Sequence, residues 1–307
     1  MIELDNKELL EIGLHITDEV SCHVKKLLSK NIKLHTHFDR VNSSGDKITL
    51  FDQEVNERII TILKNLPQIH PLIIISEETG VEVIGSGNPY YFVVLDPVDG
   101  SNNIRPFFTP SPNIAMSIAV GYFRDLYERP LTEAIRVSVH REIFGQRVFY
   151  GLTGQGAFFT DGSITWPIKA SPINSLKEKC IIGIDFDNKN EISHTLQGLV
   201  SSHIIQRRLG SSHLDLCQVA CGQYDGYISD SARLKVTDVC QSHHLVNEAG
   251  GIYAYQIFYK GKAAPQYHGD YLTKVINNQS LLRDLRFKVI AAGTHELFEE
   301  LSPVFKS

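Results

Sequence analysis

The sequence predicts an α+β protein with an antiparallel sheet in its first half and a mixed α/β arrangement of βαβ units in its second half. Several strand-like segments follow one another between residues 114 and 159, with turn residues between them. After residue 171, strand and helix patterns alternate. We expect two parts, 1–170 and 171–307, that pack as one compact unit, with no internal repeat or flexible linker between them.

Composition limits the possible functions. The 307 residues carry a formal net charge of -5, with 42% hydrophobic and 21% charged residues, as in ordinary globular proteins. A net negative charge argues against nucleic-acid binding through phosphate contacts. No apolar run approaches the roughly 20 residues that span a bilayer, and the first residues lack the pattern of a signal peptide. We therefore expect a cytoplasmic protein without nucleic-acid or membrane partners.

The five cysteines are an odd number and include no CxxC pair, so we expect reduced thiols rather than a disulfide framework. Cys217 and Cys221 lie four residues apart and could share a helix face as metal ligands. Free cysteine more often behaves as a small buried apolar residue, and we favour that interpretation.

Two amphipathic helix patterns open the first half. Apolar residues at helical spacing predict a helix from about residue 7 to 29, capped by Asp5 or Asn6, and a second pattern covers residues 55–63. Asp52 lies at the start of the second helix. On the residues alone, a helix cap is the favoured interpretation of Asp52, and a catalytic carboxylate is the alternative.

The turn after residue 95 is the centre of the predicted site. An unbroken apolar run over 91–95 predicts a buried strand, which Pro97 and Gly100 stop. Asp96 and Asp99 can turn to the same side of the strand end, where two carboxylates repel unless a cation lies between them. Past Gly100 the backbone can bend, and its amides could face an anion. The turn therefore predicts a cation site next to an anion site.

Two further acidic positions could join this site. A short apolar strand over 72–75 ends in Glu77 and Glu78, which on their own are typical of a solvated turn. Two buried strands that both end in acid pairs favour a shared cation site more than either pair alone. Asp238 begins a predicted helix over 239–248, where it is either a helix cap or a ligand.

The remaining patterns supply the sheets and the other helices. Strands are predicted over 114–120, 131–139, 143–150, 181–184, 204–205 and 287–293, and helices over 193–202, 215–221 and 296–301. The sequence says little about the polar stretch from 259 to 278.

A family resemblance rests on an ordered set of segments: Glu77-Glu78, then Asp96-Pro97-Val98-Asp99-Gly100-Ser101, then Asp238 with the downstream Glu248-Ala249-Gly250-Gly251. Together they resemble the inositol monophosphatase superfamily of magnesium-dependent, lithium-sensitive phosphatases, which includes fructose-1,6-bisphosphatases and nucleotide 3'-phosphatases. The resemblance covers nearly the whole chain. It implies a layered αβαβα sandwich of the sugar-phosphatase type and a homodimer.

The resemblance also implies a metal centre. Phosphate-ester hydrolysis is among the slowest uncatalysed reactions, and two cations can stabilise both the attacking and the leaving oxygen. Oxygen ligands select a hard cation such as Mg²⁺. By resemblance we expect two or three Mg²⁺ ions: one held by Glu77, Asp96 and the Val98 carbonyl, a second by Asp96, Asp99 and Asp238, and a weaker third near Glu77 and Glu78.

Catalytic and substrate roles follow from the same resemblance. Ser101 and Glu77 would orient the attacking water, and Asp52 would hold the Ser101 hydroxyl. The amides of Gly100 to Asn102 would hold phosphate oxygens. The other candidate substrate contacts are Ser211, Asp230 and Arg207.

Several positions depart from the family pattern. Many members carry threonine at the position of Ser101, which keeps the hydroxyl, and a tryptophan at the position of Thr237. The segment 229–234 is longer than in inositol monophosphatases, so Asp230 is only a candidate for the acid that contacts inositol hydroxyls. Arg207 and Arg208 could pair with a second phosphate or lie on a strand edge, and both interpretations stay open.

The sequence thus predicts a magnesium-dependent phosphomonoesterase acting on a small sugar or cyclitol phosphate, such as an inositol monophosphate. The enzymatic alternatives are a fructose-1,6-bisphosphatase and, with less support, a nucleotide 3'-phosphatase. A binding or regulatory protein that keeps the fold without efficient catalysis is the non-enzymatic alternative. Specificity lies in loops that sequence alone does not place.

Overall fold

Two β-sheets and the helices that cover them make up the computed structural model, which describes residues 3–29, 37–41, 47–104, 113–185, 198, 204–265 and 279–306. Its helices are α1 (Asn6–Ser29), α2 (Leu50–Lys64), α3 (Leu131–Ala134), α4 (Ser212–Ala220), α5 (Val236–Glu248), α6 (Gln279–Asp284) and α7 (His295–Leu301).

The strands of the first sheet are β3 (Leu72–Ser76), β4 (Gly80–Ile84), β5 (Tyr91–Asp99), β6 (Ala115–Tyr122), β7 (Ile135–Glu142), β8 (Val148–Leu152), β9 (Gly156–Thr160) and β10 (Thr165–Ile168). A separate two-stranded sheet pairs β1 (His37–Val41) with β2 (Lys47–Thr49). The strands of the last sheet are β11 (Cys180–Asp185), β12 (Ile204–Arg207), β13 (Gly226–Leu234), β14 (Ile252–Tyr259), β15 (Lys262–Ala263) and β16 (Leu285–Ala292).

The first sheet has the order β10-β9-β8-β7-β6-β5-β3-β4. Neighbouring strands in it are antiparallel except β3 and β5, which run parallel, so the predicted antiparallel first half is confirmed. The prediction for 131–139 was partly wrong: Leu131–Ala134 form a short helix behind Pro130, whose φ of -58° suits a helix start. The strand begins only at Ile135.

The second sheet has the order β12-β11-β13-β16-β14-β15. Strand β11 is parallel to both of its neighbours, and the other pairs are antiparallel, so the sheet is mixed as predicted. The predicted helix over 193–202 lies outside the described residues apart from residue 198, and so does the segment 266–278.

Helices lie on both faces of each sheet, which explains the unbroken apolar run of β5. Val93 and Leu95 pack with α1 and α2 on one face, while Phe92 and Val94 belong to the core shared with α4 and α5 on the other. Helices α4 and α5 also contact the second sheet, whose far face is covered by α7. The order of layers is the predicted αβαβα sandwich.

None of the helices in these ranges combines the length and apolar character that crossing a bilayer requires. The five cysteines are free thiols, and Cys217 is fully buried in α4.

Candidate metal and phosphate site

The turn at the end of β5 is shaped by one glycine. Gly100 has a φ of +86°, in the left-handed region that disfavours side chains. A Cβ there would lie 2.8 Å from the Asn113 carbonyl oxygen and 3.0 Å from that of Gly210. This close approach joins the turn to the segment before α4. Asn103 strengthens the junction because its Nδ2 donates to the carbonyls of Asn113, Leu209 and Gly210.

Strand register brings the predicted acids together. Strands β3 and β5 are parallel, with Ser76 beside Leu95, so Glu77 and Asp96 follow side by side at the same sheet edge. Asp238 reaches the same point from the first turn of α5, in which its carboxylate accepts from the backbone N–H of Lys235 at 2.6 Å. The N-cap of α5 is Lys235, and Asp238 is its partner three residues later in a capping box, so Asp238 supports the helix start without being the cap and still faces the other acids.

Burial and mutual repulsion perturb these carboxylates strongly. Asp96 is almost fully buried, and burial, followed by repulsion from Glu77, Asp238 and Asp99, raises its pKa well above the ordinary value. The pKa of Asp238 is raised to about 7, chiefly by burial and then by Glu77 and Asp99. Both shifts have the same causes, which are burial first and then repulsion between neighbouring carboxylates. A bound cation would relieve this repulsion.

The helix α4 begins directly against Asp99. The Oδ2 atom of Asp99 accepts from the Ser211 hydroxyl at 2.6 Å and from the backbone N–H of His213 at 2.7 Å. Ser211 is also the N-cap of α4, since its Oγ accepts from the backbone N–H of Leu214 at 3.3 Å. The hydroxyl of Ser211 therefore orients Asp99, and its role as a substrate contact stays a prediction.

Two residues of the site were missed by the sequence analysis. Lys235 lies before α5, and its Nζ is 2.6 Å from Glu77 Oε1, so it supplies positive charge among the acids. His213 is fully buried, with Nε2 3.2 Å from Asp96 Oδ2, and burial lowers its pKa. Neither residue adjoins the acid pairs in sequence, and a single lysine or histidine carries no motif that would have revealed it.

Asp52 is buried in the first turn of α2. Its Oδ2 accepts from the backbone N–H and the hydroxyl of Thr49, at 2.8 and 2.6 Å, and its own N–H donates to Thr49 Oγ1. Thr49 is thus the N-cap and Asp52 its partner in a capping box. The contact of Asp52 with Ser101 stays a prediction.

A cavity of about 460 Å³ opens beside the turn. It contains the predicted phosphate-binding backbone, two of the predicted metal ligands and part of the segment before α4. Its lining residues are Asp99, Gly100, Ser101, Asn102, Asn103, Asp185, Arg208, Leu209, Gly210, Ser212, Leu234 and Asp238.

Two predicted substrate contacts lie outside this lining. The exposed Arg207 belongs to the edge strand β12 and donates to the Gln206 carbonyl, as in the strand-edge interpretation, and its contact with substrate stays a prediction. Its neighbour Arg208 lines the cavity and pairs with Asp185 at 3.1 Å. Asp230 is buried within β13, where Lys288 Nζ lies 3.1 Å from its Oδ1, so it is not a lining residue either.

The remaining predicted ligands are close to the acids in the chain. The Val98 backbone N–H donates to Asp96 Oδ1 at 3.0 Å, which fixes Val98 beside this carboxylate. The backbone N–H of Glu78 donates to the Ser76 hydroxyl at 3.2 Å and holds the turn after β3. Their metal contacts stay predictions.

Comparison with known proteins identifies the family of the chain. The sequence model of the inositol monophosphatase family matches residues 5–283. The chain belongs to this family. A relative in Methanothermobacter thermautotrophicus, named fructose-1,6-bisphosphatase/inositol-1-monophosphatase, is 26% identical, and the match covers 85% of this chain and 84% of the relative.

A second relative of this chain is a bifunctional NADP phosphatase/NAD kinase of Methanococcus maripaludis, which is 28% identical over 80% of the chain. That match covers only 43% of the bifunctional protein. Among solved structures, a gene product described as inositol monophosphatase–fructose 1,6-bisphosphatase superposes with a TM-score of 0.69 at 21% identity. The superposition covers 96% of this chain and 98% of the solved structure, and it shows that the two proteins share a fold.

Proposed function

We propose that the chain is a magnesium-dependent phosphomonoesterase that hydrolyses a small sugar or cyclitol phosphate, such as an inositol monophosphate. The observation that carries the proposal is the convergence of three acids beside an open cavity. Asp96, Asp99 and Asp238 come from two different elements, and the pKa of both Asp96 and Asp238 is raised by burial first and then by repulsion from neighbouring acids. Perturbed acids that meet in a cleft are typical of functional sites. Membership of a phosphatase family supports the same conclusion.

The donor set fits divalent cations. Glu77, Asp96 and the Val98 carbonyl would hold one ion, Asp96, Asp99 and Asp238 a second, and Glu78 would contribute with Glu77 to a weaker third. Such ions, when bound, polarise a phosphoryl oxygen and lower the pKa of water in their coordination sphere. Binding therefore also relieves the repulsion that raises the pKa of Asp96 and Asp238.

The chain's own groups would position the reactants. Ser101 and Glu77 would orient the attacking water, and Asp52, already fixed by Thr49, would hold the Ser101 hydroxyl. The backbone amides from Gly100 to Asn102 line the cavity and would receive the phosphate oxygens. The alcohol part of the substrate would extend into the rest of the cavity.

The direct test is phosphate release from inositol 1-phosphate and fructose 1,6-bisphosphate in the presence of Mg²⁺. Asp99→Asn should lower the rate by at least about a hundredfold, because it removes a charged ligand of the second ion. Asp18→Asn makes the same chemical change on the exposed side of α1 and should leave the rate unchanged. Full activity in Asp99→Asn, or turnover of neither substrate by the folded protein, would contradict the proposal.

Arg208 favours fructose-1,6-bisphosphatase activity as a second candidate function. Its guanidinium lines the cavity, where it could pair with a second phosphate in place of Asp185. Arg208→Gln should then weaken kcat/KM for the bisphosphate more than for inositol 1-phosphate, and Arg207→Gln should affect neither. NADP belongs in the same substrate panel because one relative is a bifunctional NADP phosphatase/NAD kinase. A nucleotide 3'-phosphate in the panel tests the less supported alternative.

We also propose a cytoplasmic homodimer that is inhibited by lithium. The support is the family resemblance. Size-exclusion chromatography with light-scattering detection should give twice the chain mass of 34.5 kDa, and the mass of a single chain would contradict the dimer. If phosphate release is absent but Mg²⁺ still binds, the binding or regulatory alternative replaces the enzymatic one.

A further inference from the structure

A buried imidazole faces the carboxylates at the centre of the site. His213 Nε2 lies 3.2 Å from Asp96 Oδ2. The ligand atoms of Asp96, His213 and Asp238 all lie within 4.8 Å of one another. Neighbouring ligands of an octahedral ion with bonds of about 2.1 Å are about 3 Å apart, and opposite ligands about 4.2 Å. One cation with modest adjustment of these side chains could therefore contact all three.

The other ring nitrogen of His213 is held from α5. Its Nδ1 lies 2.8 Å from the Ser242 hydroxyl, which can accept the N–H and leave the lone pair on Nε2. Metal-binding histidines usually donate their second N–H in this way, which fixes the tautomer and the orientation of the ring. Ser117 Oγ lies 2.8 Å from Nε2 on the side of β6 and can turn its hydroxyl proton elsewhere when that nitrogen binds a cation.

We propose that His213 is a ligand of the cation shared by Asp96 and Asp238, and that this position takes a divalent transition-metal ion in preference to Mg²⁺, with Mn²⁺ as the paramagnetic probe of the contact. The inference rests on the metal site of the proposed function and changes its ligand set. Mg²⁺ is held almost entirely by oxygen, whereas imidazole nitrogen suits transition metals. The oxygen-only set expected from the sequence thereby becomes a mixed nitrogen and oxygen set.

A different arrangement gives different consequences. If Nε2 carries the proton, His213 donates to Asp96 and only positions that carboxylate. Loss of the imidazole would then weaken Mg²⁺ and Mn²⁺ binding by similar factors, because both ions depend on the orientation of Asp96. A ligand, in contrast, contributes more to the ion that prefers nitrogen. The ratio of the two affinities therefore separates the arrangements.

Electron spin-echo spectroscopy of the full-length protein loaded with Mn²⁺ tests the contact directly. A nitrogen hyperfine coupling to the ion is expected in the wild type, and it should change when the histidines are labelled with 15N. The coupling should be lost in His213→Gln. His140→Gln is the matched control, since the His140 ring centroid lies 5.0 Å from that of His213, and the coupling should remain.

Calorimetric titrations with Mn²⁺ and with Mg²⁺ complete the test. The ratio of Mn²⁺ to Mg²⁺ affinity should fall at least about tenfold in His213→Gln and stay unchanged in His140→Gln. Bound Mn²⁺ without nitrogen coupling in the wild type, or equal losses of both affinities, overturns the inference and leaves the proposed phosphatase intact. A folded wild type that binds neither ion contradicts the metal site of the proposed function itself. If His213→Gln does not fold, the 15N labelling of the wild type decides.

Discussion

Single residues give the site both its charge and its shape. Asp96 is almost fully buried, and burial together with the neighbouring acids raises its pKa well above the ordinary value. Lys235 opposes this shift and contacts Glu77. Gly100 allows the turn to lie close to the segment before α4, since no side chain fits between them. Replacement of any of these residues should therefore alter the site more than the small exposed area of the residue suggests.

Gly100→Ala should destabilise the protein by about 2 kcal/mol or more and abolish most of the activity. The φ of +86° strains an alanine, and its Cβ would also meet backbone carbonyls. Gly87→Ala is the matched control, because its φ of +97° is equally left-handed but its Cβ meets nothing within 4 Å. Urea unfolding gives the loss of unfolding free energy in each variant, and the difference between the two losses is the cost of the steric contact. Equal losses of unfolding free energy would refute the steric argument.

Whole elements decide which residues meet. The parallel pairing of β3 and β5 sets Glu77 beside Asp96, and the start of α5 brings Asp238 and Lys235 to the same strand ends. The N-cap hydroxyl of Ser211 and the backbone amide of His213, at the start of helix α4, donate to Asp99. Each element end contributes backbone groups that isolated helices and strands leave unpaired. The site is therefore assembled from element ends rather than from one loop.

The contact between α5 and the end of β3 should depend on bound cation. Lys235→Met should destabilise the metal-free protein by about 1–3 kcal/mol, because it leaves the largely buried Glu77 without this counter-charge. Added Mg²⁺ should restore more stability to the variant than it adds to the wild type, since the ion replaces the lost positive charge. Thermal unfolding with EDTA and with Mg²⁺ measures both effects.

Lys288→Met is the control for this prediction. It removes a lysine of equal exposure from its pair with Asp230, outside the cavity. It should also destabilise the protein, but Mg²⁺ should add no more stability than it adds to the wild type. The same Mg²⁺ response in both variants would show that Lys235 has no special relation to the cation site.

At the scale of the whole molecule, the space between the sheets contains buried polar side chains as well as the apolar core. His244 in α5 bridges to strand β7 and to the turn after β8, with Nδ1 2.9 Å from Ser138 Oγ and Nε2 3.0 Å from Thr153 Oγ1. Burial lowers the pKa of His244 to about 3. Burial also lowers the pKa of His140 and His213. The folded protein therefore keeps several imidazoles neutral in its interior.

Stability should fall in acid because of these histidines. Below about pH 6.5 His244 becomes protonated in the unfolded chain. In the folded protein it stays neutral until about pH 3. The unfolded state then binds more protons, so the unfolding free energy decreases as the pH falls through this window, by up to about 1.4 kcal/mol per pH unit for one histidine.

His244→Gln should reduce this slope between pH 6.5 and pH 4, whatever its effect on stability at pH 7. His295→Gln is the control and should keep the wild-type slope, because it makes the same substitution at an exposed side chain. Urea unfolding at a series of pH values gives the slopes. Parallel curves for wild type and His244→Gln would show that His244 is not the group that titrates.

Much of the fold was readable from local patterns. Helical spacing of apolar residues predicted α1, and the unbroken run over 91–95 predicted the core of β5, because a strand covered on both faces has no polar positions. Leu131–Ala134 was misread as strand, since four apolar and polar residues carry too little periodicity to separate a short helix from a strand. The order of strands in each sheet had no local signal.

Local patterns were enough to predict the class of the protein and a cation site at the acids of the turn after β5, since strand ends and carboxylate repulsion are local properties. The folded arrangement was needed to show that Lys235 and His213 join those acids, that Ser211 donates to Asp99, and that Arg208 rather than Arg207 lines the cavity. These contacts join residues far apart in the chain, and their distances depend on strand register and on where helices begin. The same reason makes the ligand set at Asp96 a question of nitrogen as well as oxygen.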